Sequence, residues 1–206
     1  MLLELFFRGL IIGFAIAAPV GPIGMLVIRR TLADGRLLGL LTGLGAAAAD
    51  ALYGSVGAFG LTFITSFLTG YAFWTKLIGS TFLCYLGIST VRAKPTESNG
   101  EPVSKVRYAN AFLTTLLLTL TNPATILSFM AVFAGLGLGT KGGDYGAAGI
   151  VVSGVFTGSA IWWLNLSGGV ALVRHKLKPE TIKWINYASG IFLTAFGAYV
   201  LMSLAF

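Results

Sequence analysis

Apolar residues in this chain run in long unbroken stretches, broken by short polar or charged connections. Six stretches stand out, at about residues 5–28, 37–63, 71–91, 109–136, 146–172 and 184–205. Each is long enough for a helix to cross a bilayer, which takes about 20 mostly apolar residues. The runs are continuous rather than alternating, so a transmembrane β-barrel does not fit. The pattern predicts an all-α integral membrane protein of six transmembrane helices, spans 1 to 6. The longest polar connection, 93–108, carries Lys94, Pro95, Glu97, Asn99, Gly100, Glu101 and Pro102. It divides a single transmembrane domain, 1–206, into a first half at about 1–92 and a second at about 109–206.

Composition strengthens this reading. Of 206 residues, 56% are hydrophobic and 10% charged, against about 25% charged in soluble domains. The mean hydropathy is +0.86. No water-soluble core of this length could bury so much apolar surface. Glu4, Arg8, Pro19 and Pro22 interrupt the first apolar run, so no cleavable signal peptide is expected. The net charge of +7 comes from 14 Lys and Arg against 7 Asp and Glu. Eleven of the 14 cations fall near the connections after spans 1, 3 and 5: Arg29, Arg30, Arg36, Arg92, Lys94, Lys105, Arg107, Arg174, Lys176, Lys178 and Lys183. Arg8, Lys76 and Lys141 fall on the other side. This basic character is a topology signal rather than a nucleic-acid footprint. It predicts both termini on the non-cytoplasmic side of a bacterial cytoplasmic (inner) membrane.

Two spans carry breaks. Pro19-Val20-Gly21-Pro22 interrupts span 1, and Asn122-Pro123 interrupts span 4. Proline removes a backbone donor and excludes the carbonyl four residues back from helical bonding. Freed groups inside a bilayer need protein, water or solute as partners. The breaks fall at matching places in the two halves. Three helices per half is an odd number, so the second half would be inserted upside down. Inverted repeats with interrupted helices near the midplane are the arrangement of a secondary transporter with its site between the halves.

Asp50 is the one acidic residue deep in a span, near the middle of span 2. A carboxylate there costs about 2.5–3.5 kcal/mol on insertion scales, so it is expected to face the bundle interior or a water-filled cavity and to exchange protons or pair with a cationic solute. Its bland alternative is a structural Asp bonding backbone. Tyr53 lies one turn on. Aligning Gly57 with Gly169 sets Trp162 opposite Asp50 in the repeat, where its ring could cover an aliphatic or cationic group; packing or an interfacial position is the alternative. Trp74 and Trp184, at span ends, read as interfacial residues. Gly39, Gly43, Gly54, Gly57, Gly154 and Gly158 recur at close spacing and read as helix-packing positions. His175 is a lone histidine in a basic connection. Candidate substrate-binding or proton-coupling residues are therefore Asp50, Pro19, Gly21, Pro22, Asn122, Pro123, Tyr53 and Trp162.

Enzyme chemistry finds no support. An aspartyl protease needs two carboxylates, and a serine enzyme needs a base beside its nucleophile. No cluster of metal ligands exists, and Cys84 is the only thiol. No cofactor and no metal are expected. Efflux of metal or other inorganic cations remains as the alternative transport function, disfavoured by the single carboxylate.

The chain also resembles a known family. The matching segments are Ala18-Pro19-Val20-Gly21-Pro22, Arg29-Arg30-Thr31-Leu32-Ala33-Asp34-Gly35, Gly43 through Asp50 with Gly54, Tyr85-Leu86-Gly87 and Thr121-Asn122-Pro123-Ala124-Thr125-Ile126-Leu127-Ser128-Phe129. In this order they resemble the lysine exporter (LysE/RhtB-type) family of amino-acid translocators over essentially the whole chain. The resemblance implies export of amino acids driven by the proton-motive force, an inner-membrane location in contact with lipid, and room for a homodimer. It assigns importance to Pro19, Gly21, Pro22, Asp50, Asn122 and Pro123. Val20 and Ala124 depart from it, standing where many relatives have a Pro-Gly-Pro triplet and a Lys after Asn-Pro. Substrates of better-known members therefore do not transfer directly.

Overall fold

A computed structural model of the chain describes residues 2–58, 72–92, 104–122, 125–126, 128–129, 145–174 and 176–204. Seven helices of substantial length lie within the described residues: α1 (Leu2–Ala17), α2 (Pro22–Asp34), α3 (Arg36–Ala58), α4 (Ala72–Arg92), α5 (Lys105–Leu120), α6 (Tyr145–Arg174) and α7 (Pro179–Met202). Among the described residues the regular structure is all helical. Within these same residues, helices α3, α6 and α7 are each long and apolar enough to cross a membrane, and α1 and α2, bent by 79° at a short break, make a fourth if the pair counts as one span.

The helix boundaries follow local chemistry. The Ala18 amide still bonds to the Phe14 carbonyl (2.9 Å), but Pro19 has no amide to continue the ladder, and α1 stops. Pro22 restarts it at the first turn of α2, where a missing N–H costs nothing. The two axes differ by 79°. α2 ends at Gly35, whose φ of 98° suits a residue without a Cβ. Ser104 caps α5 by accepting the Arg107 amide (3.3 Å).

Hydropathy alone misplaced some polar residues. Span 6, expected from 184, begins at Pro179 behind an extended Lys178, so Lys183 lies inside α7 rather than in a connection. Likewise Arg29 and Arg30 lie inside α2, because that helix runs on to Asp34 before Gly35 stops it. The interruption after Leu120 is present: Thr121 is a turn and Asn122 is non-helical. Pro123, His175 and the polar linker at 93–103 fall outside the described residues.

Small residues set the packing. Added Cβ atoms at Gly9 and Gly13 of α1 would strike the backbone at Val151 and Val155 of α6. In return, Gly154 and Gly158 of α6 meet the backbone at Phe6 and Leu10 of α1. Gly87 and Gly190 do the same between α4 and α7, and Gly45 faces Phe112 across α3 and α5. Such approaches let backbones touch where lipid offers helices no hydrophobic drive to associate. Gly39 and Gly43 face Thr31 and Trp163 just as closely, whereas Gly54 has only ordinary contact with Val155. The main pairings are α1 with α6, α3 with α6, α3 with α5, and α4 with α7; α2 packs on α3, α6 and α7. Outward faces carry large apolar side chains such as Leu3, Ile78, Leu117, Leu172 and Ile191. Trp74 and Trp184 are exposed near the starts of α4 and α7, as interfacial residues would be.

Candidate functional site

The gap between α1 and α2 opens on a cavity of about 220 Å³. Ile16 and Ala17 line it from the end of α1, and Pro19, Val20 and Gly21 from the break itself. Pro22, Ile23 and Gly24 come from the first turn of α2. Asp50 and Ala46 enter from α3, Thr119 from the last turn of α5, and Asn122, Thr125 and Ser128 from the segment after it. Trp163 of α6 and Phe196 of α7 complete the described wall. Both broken segments therefore meet at one place, across from Asp50.

Asp50 is 3% exposed. Its Oδ2 accepts a hydrogen bond from the Ser159 hydroxyl (2.7 Å), and Ser159 Oγ in turn accepts from the Trp163 indole N–H (3.1 Å). Indole nitrogen can only donate. The serine proton is thereby directed to the carboxylate, so Oδ2 acts as an acceptor. Oδ1 has no hydrogen-bond partner among the described residues.

The expected site residues are divided by this geometry. Pro19, Gly21, Pro22, Asp50 and Asn122 line the cavity. Tyr53 does not; its hydroxyl donates to the Leu120 carbonyl (2.6 Å) and its ring stacks on Phe129. It serves the end of α5, satisfying a carbonyl near the second break. Trp162 turns away from Asp50 and packs edge-on against Phe14 of α1, with ring centroids 5.4 Å apart. Its neighbour Trp163 takes the place beside the acid. A signal for this was present in the sequence: Val151, Val155, Ser159, Trp163 and Ser167 repeat every four residues and form one buried stripe of α6. Trp162 lies about 100° around the helix from it. Ser159 and Thr119 were not anticipated as site residues.

The far end of α2 is built differently. Arg30 reaches between α3 and α5, donating to Thr42 Oγ1 (3.2 Å), the Ala111 carbonyl (3.0 Å), Thr115 Oγ1 (3.2 Å) and Thr114 Oγ1 (3.1 Å). Arg107 pairs with Asp34. Arg174, from the end of α6, donates to the Ala33 carbonyl (3.1 Å). Three other helices thus fasten the C-terminal turns of α2.

A family model described as LysE type translocator matches residues 14–204, nearly the whole chain and both broken segments. The chain belongs to the LysE type translocator family. Among its relatives, the chain is 27% identical to the "Putative amino acid efflux protein YcgF" of Bacillus subtilis over 96% of this chain and 95% of that one. It is 30% identical to the "Uncharacterized membrane protein YahN" of Escherichia coli over 71% and 66% of the two chains. It is 23% identical to the "Uncharacterized membrane protein slr1627" of Synechocystis sp. over 86% and 85%. No solved structure matches the chain significantly. A translocator moves its solute unchanged, so this LysE-type chain is a multi-pass membrane transporter and not an enzyme.

Proposed function

We propose that this LysE-type translocator exports amino acids across the cytoplasmic membrane, coupled to the proton-motive force, with Asp50 at the centre of the exchange. One observation carries the reading: among the described residues lining the cavity at the break, Asp50 bears the only formal charge. A buried carboxylate that can bind either a proton or an ammonium group, but not both, couples the two fluxes by competition. The full-length relative in Bacillus subtilis, named for amino acid efflux, supports the substrate class.

The transport cycle we infer uses six spans as two inverted triplets, α1–α2, α3 and α4 against α5 with its continuation, α6 and α7. The helix pairings support it. Exchanging the halves turns α1 on α6 into α5 on α3, and leaves α3 on α6 and α4 on α7 unchanged. The cavity lies where the two triplets meet, so rocking one against the other would expose it alternately to each side. The skew of Lys and Arg supports placing both termini outside the cytoplasm.

The test is transport by purified protein in proteoliposomes under an imposed pH gradient. Asp50→Asn should insert and pack normally, because its amide can still accept the Ser159 hydrogen bond, but should lose the response of amino-acid flux to the gradient. Gradient-driven flux equal to the native protein's would remove Asp50 from the mechanism.

A further inference from the structure

The cavity has two electrical poles, although Asp50 supplies its only charged side chain among the described residues. The first pole is the start of α2. Pro22 has no amide hydrogen, the Gly21 amide bonds to the Pro19 carbonyl (2.9 Å), and the Met25 amide bonds to the Gly21 carbonyl (3.0 Å). That leaves the amides of Ile23 and Gly24, and the residue at the N-cap, Gly21, has no side chain to cap them. Both residues line the cavity. Thr119 lines the same cavity, is 3% exposed, and its Oγ1 is buried with no hydrogen-bond partner among the described residues. Unmet donors are costly at membrane depth, and a helix start is the positive end of its dipole. The second pole is Asp50 Oδ1 together with the end of α1, where Pro19 leaves the Ala15 carbonyl without its helical donor. Ile16 and Ala17 of that last turn line the same cavity.

We propose that the Ile23 and Gly24 amides with the Thr119 hydroxyl form a carboxylate subsite, and that Asp50 Oδ1 with the α1 carbonyl end receives the ammonium of the same molecule. This assignment rests on the exporter reading and deepens it. A cavity of about 220 Å³ is smaller than the roughly 300–1,000 Å³ of drug-sized sites, so it suits a small solute that carries a carboxylate and an ammonium close together. That is the spacing of an α-amino acid. Ile16, Val20 and Phe196 form the apolar wall left for its side chain. With Asp50 occupied by the α-ammonium, no second anion among the described lining residues remains for a cationic side chain. The substrate class is therefore α-amino acids with uncharged side chains and a free carboxylate.

The experiment is exchange of each of the twenty ¹⁴C-labelled L-amino acids by the full chain in proteoliposomes. For every amino acid exchanged, three unlabelled competitors are added: the amine lacking the carboxylate, the acid lacking the ammonium, and the methyl ester. All three should compete at least about tenfold more weakly than the parent, in line with a lost hydrogen bond to a charged group. Lysine and arginine should exchange at least about tenfold less well than the best uncharged amino acid. Thr119→Val should raise the half-saturation concentration about tenfold, and Thr119→Ser should restore it. Amines or esters competing as well as the parent would overturn the carboxylate subsite while leaving export intact, as would Thr119→Val with native half-saturation. Exchange of none of the twenty would overturn the exporter reading itself.

Discussion

The two ends of α2 are opposites. Its C-terminal end is tied down: Arg30 makes four hydrogen bonds, Asp34 is paired, and the Ala33 carbonyl is met from another helix, with Arg29 Nε the one buried side-chain atom there that lacks a partner among the described residues. Its N-terminal end is left open, with free amides beside a single carboxylate and an unpartnered threonine. Both ends are polar and both are largely removed from solvent. They differ in where the partners come from. At one end the protein supplies nearly all the partners; at the other, on the proposed reading, a visiting solute supplies them.

Variants at each end put this contrast to the test. The largest effect on stability is expected from Arg30→Leu. It removes four hydrogen bonds, but each threonine acceptor keeps a bond of its own to a helix carbonyl. A loss of about 3 kcal/mol follows, given about 1.5–3 kcal/mol for a bond to a charged group. Thermal unfolding in detergent should show it, with the half-saturation for substrate little changed. A native melting temperature with altered half-saturation would invert the comparison. Next comes Ser159→Ala, which strips Asp50 of its donor and leaves the Trp163 N–H without an acceptor. About 1–2 kcal/mol of stability should go, and the pH profile of transport should move; an unmoved profile would show that Ser159 only packs. The smallest effect is expected from Asp34→Asn. Its partner Arg107 is more than half exposed, so the melting temperature should change by less than about 1 kcal/mol would produce.

How much of this could be read from residues alone depended on the kind of signal. Helix content, the break at Pro19–Pro22 and the inward placement of Asp50 were legible, because proline chemistry and the cost of a buried carboxylate are local facts. The span ends at Lys183 and Arg29–Arg30 were not, since hydropathy registers apolar length while helices run on until a Gly35 or a Pro179 acts. Trp162 was chosen over Trp163 by aligning the halves. A shift of one residue turns a side chain about 100° around a helix, and an alignment of weakly similar repeats cannot fix that. Ser159 escaped for another reason: nothing along the chain connects it to Asp50, 109 positions away. The packing of α3 on α6, with Gly43 against Trp163 and Gly54 against Val155 on either side, brings them together.

The 79° turn between α1 and α2 also has a mechanical meaning. Thirteen residues of helix measure about 20 Å. Turned so sharply, α2 advances only about 4 Å along the direction of α1 and travels about 19 Å sideways. It is a beam set at a steep angle to α1, clamped by arginines at one end and held at the other by apolar packing alone, through Ile23, Leu26 and Val27. Pivoting on its Asp34 end by about 10° would carry the Ile23 and Gly24 amides, about 16 Å away, through about 2.8 Å, roughly the length of the bond by which they would hold a carboxylate. A rotation that small is enough to make or release the grip.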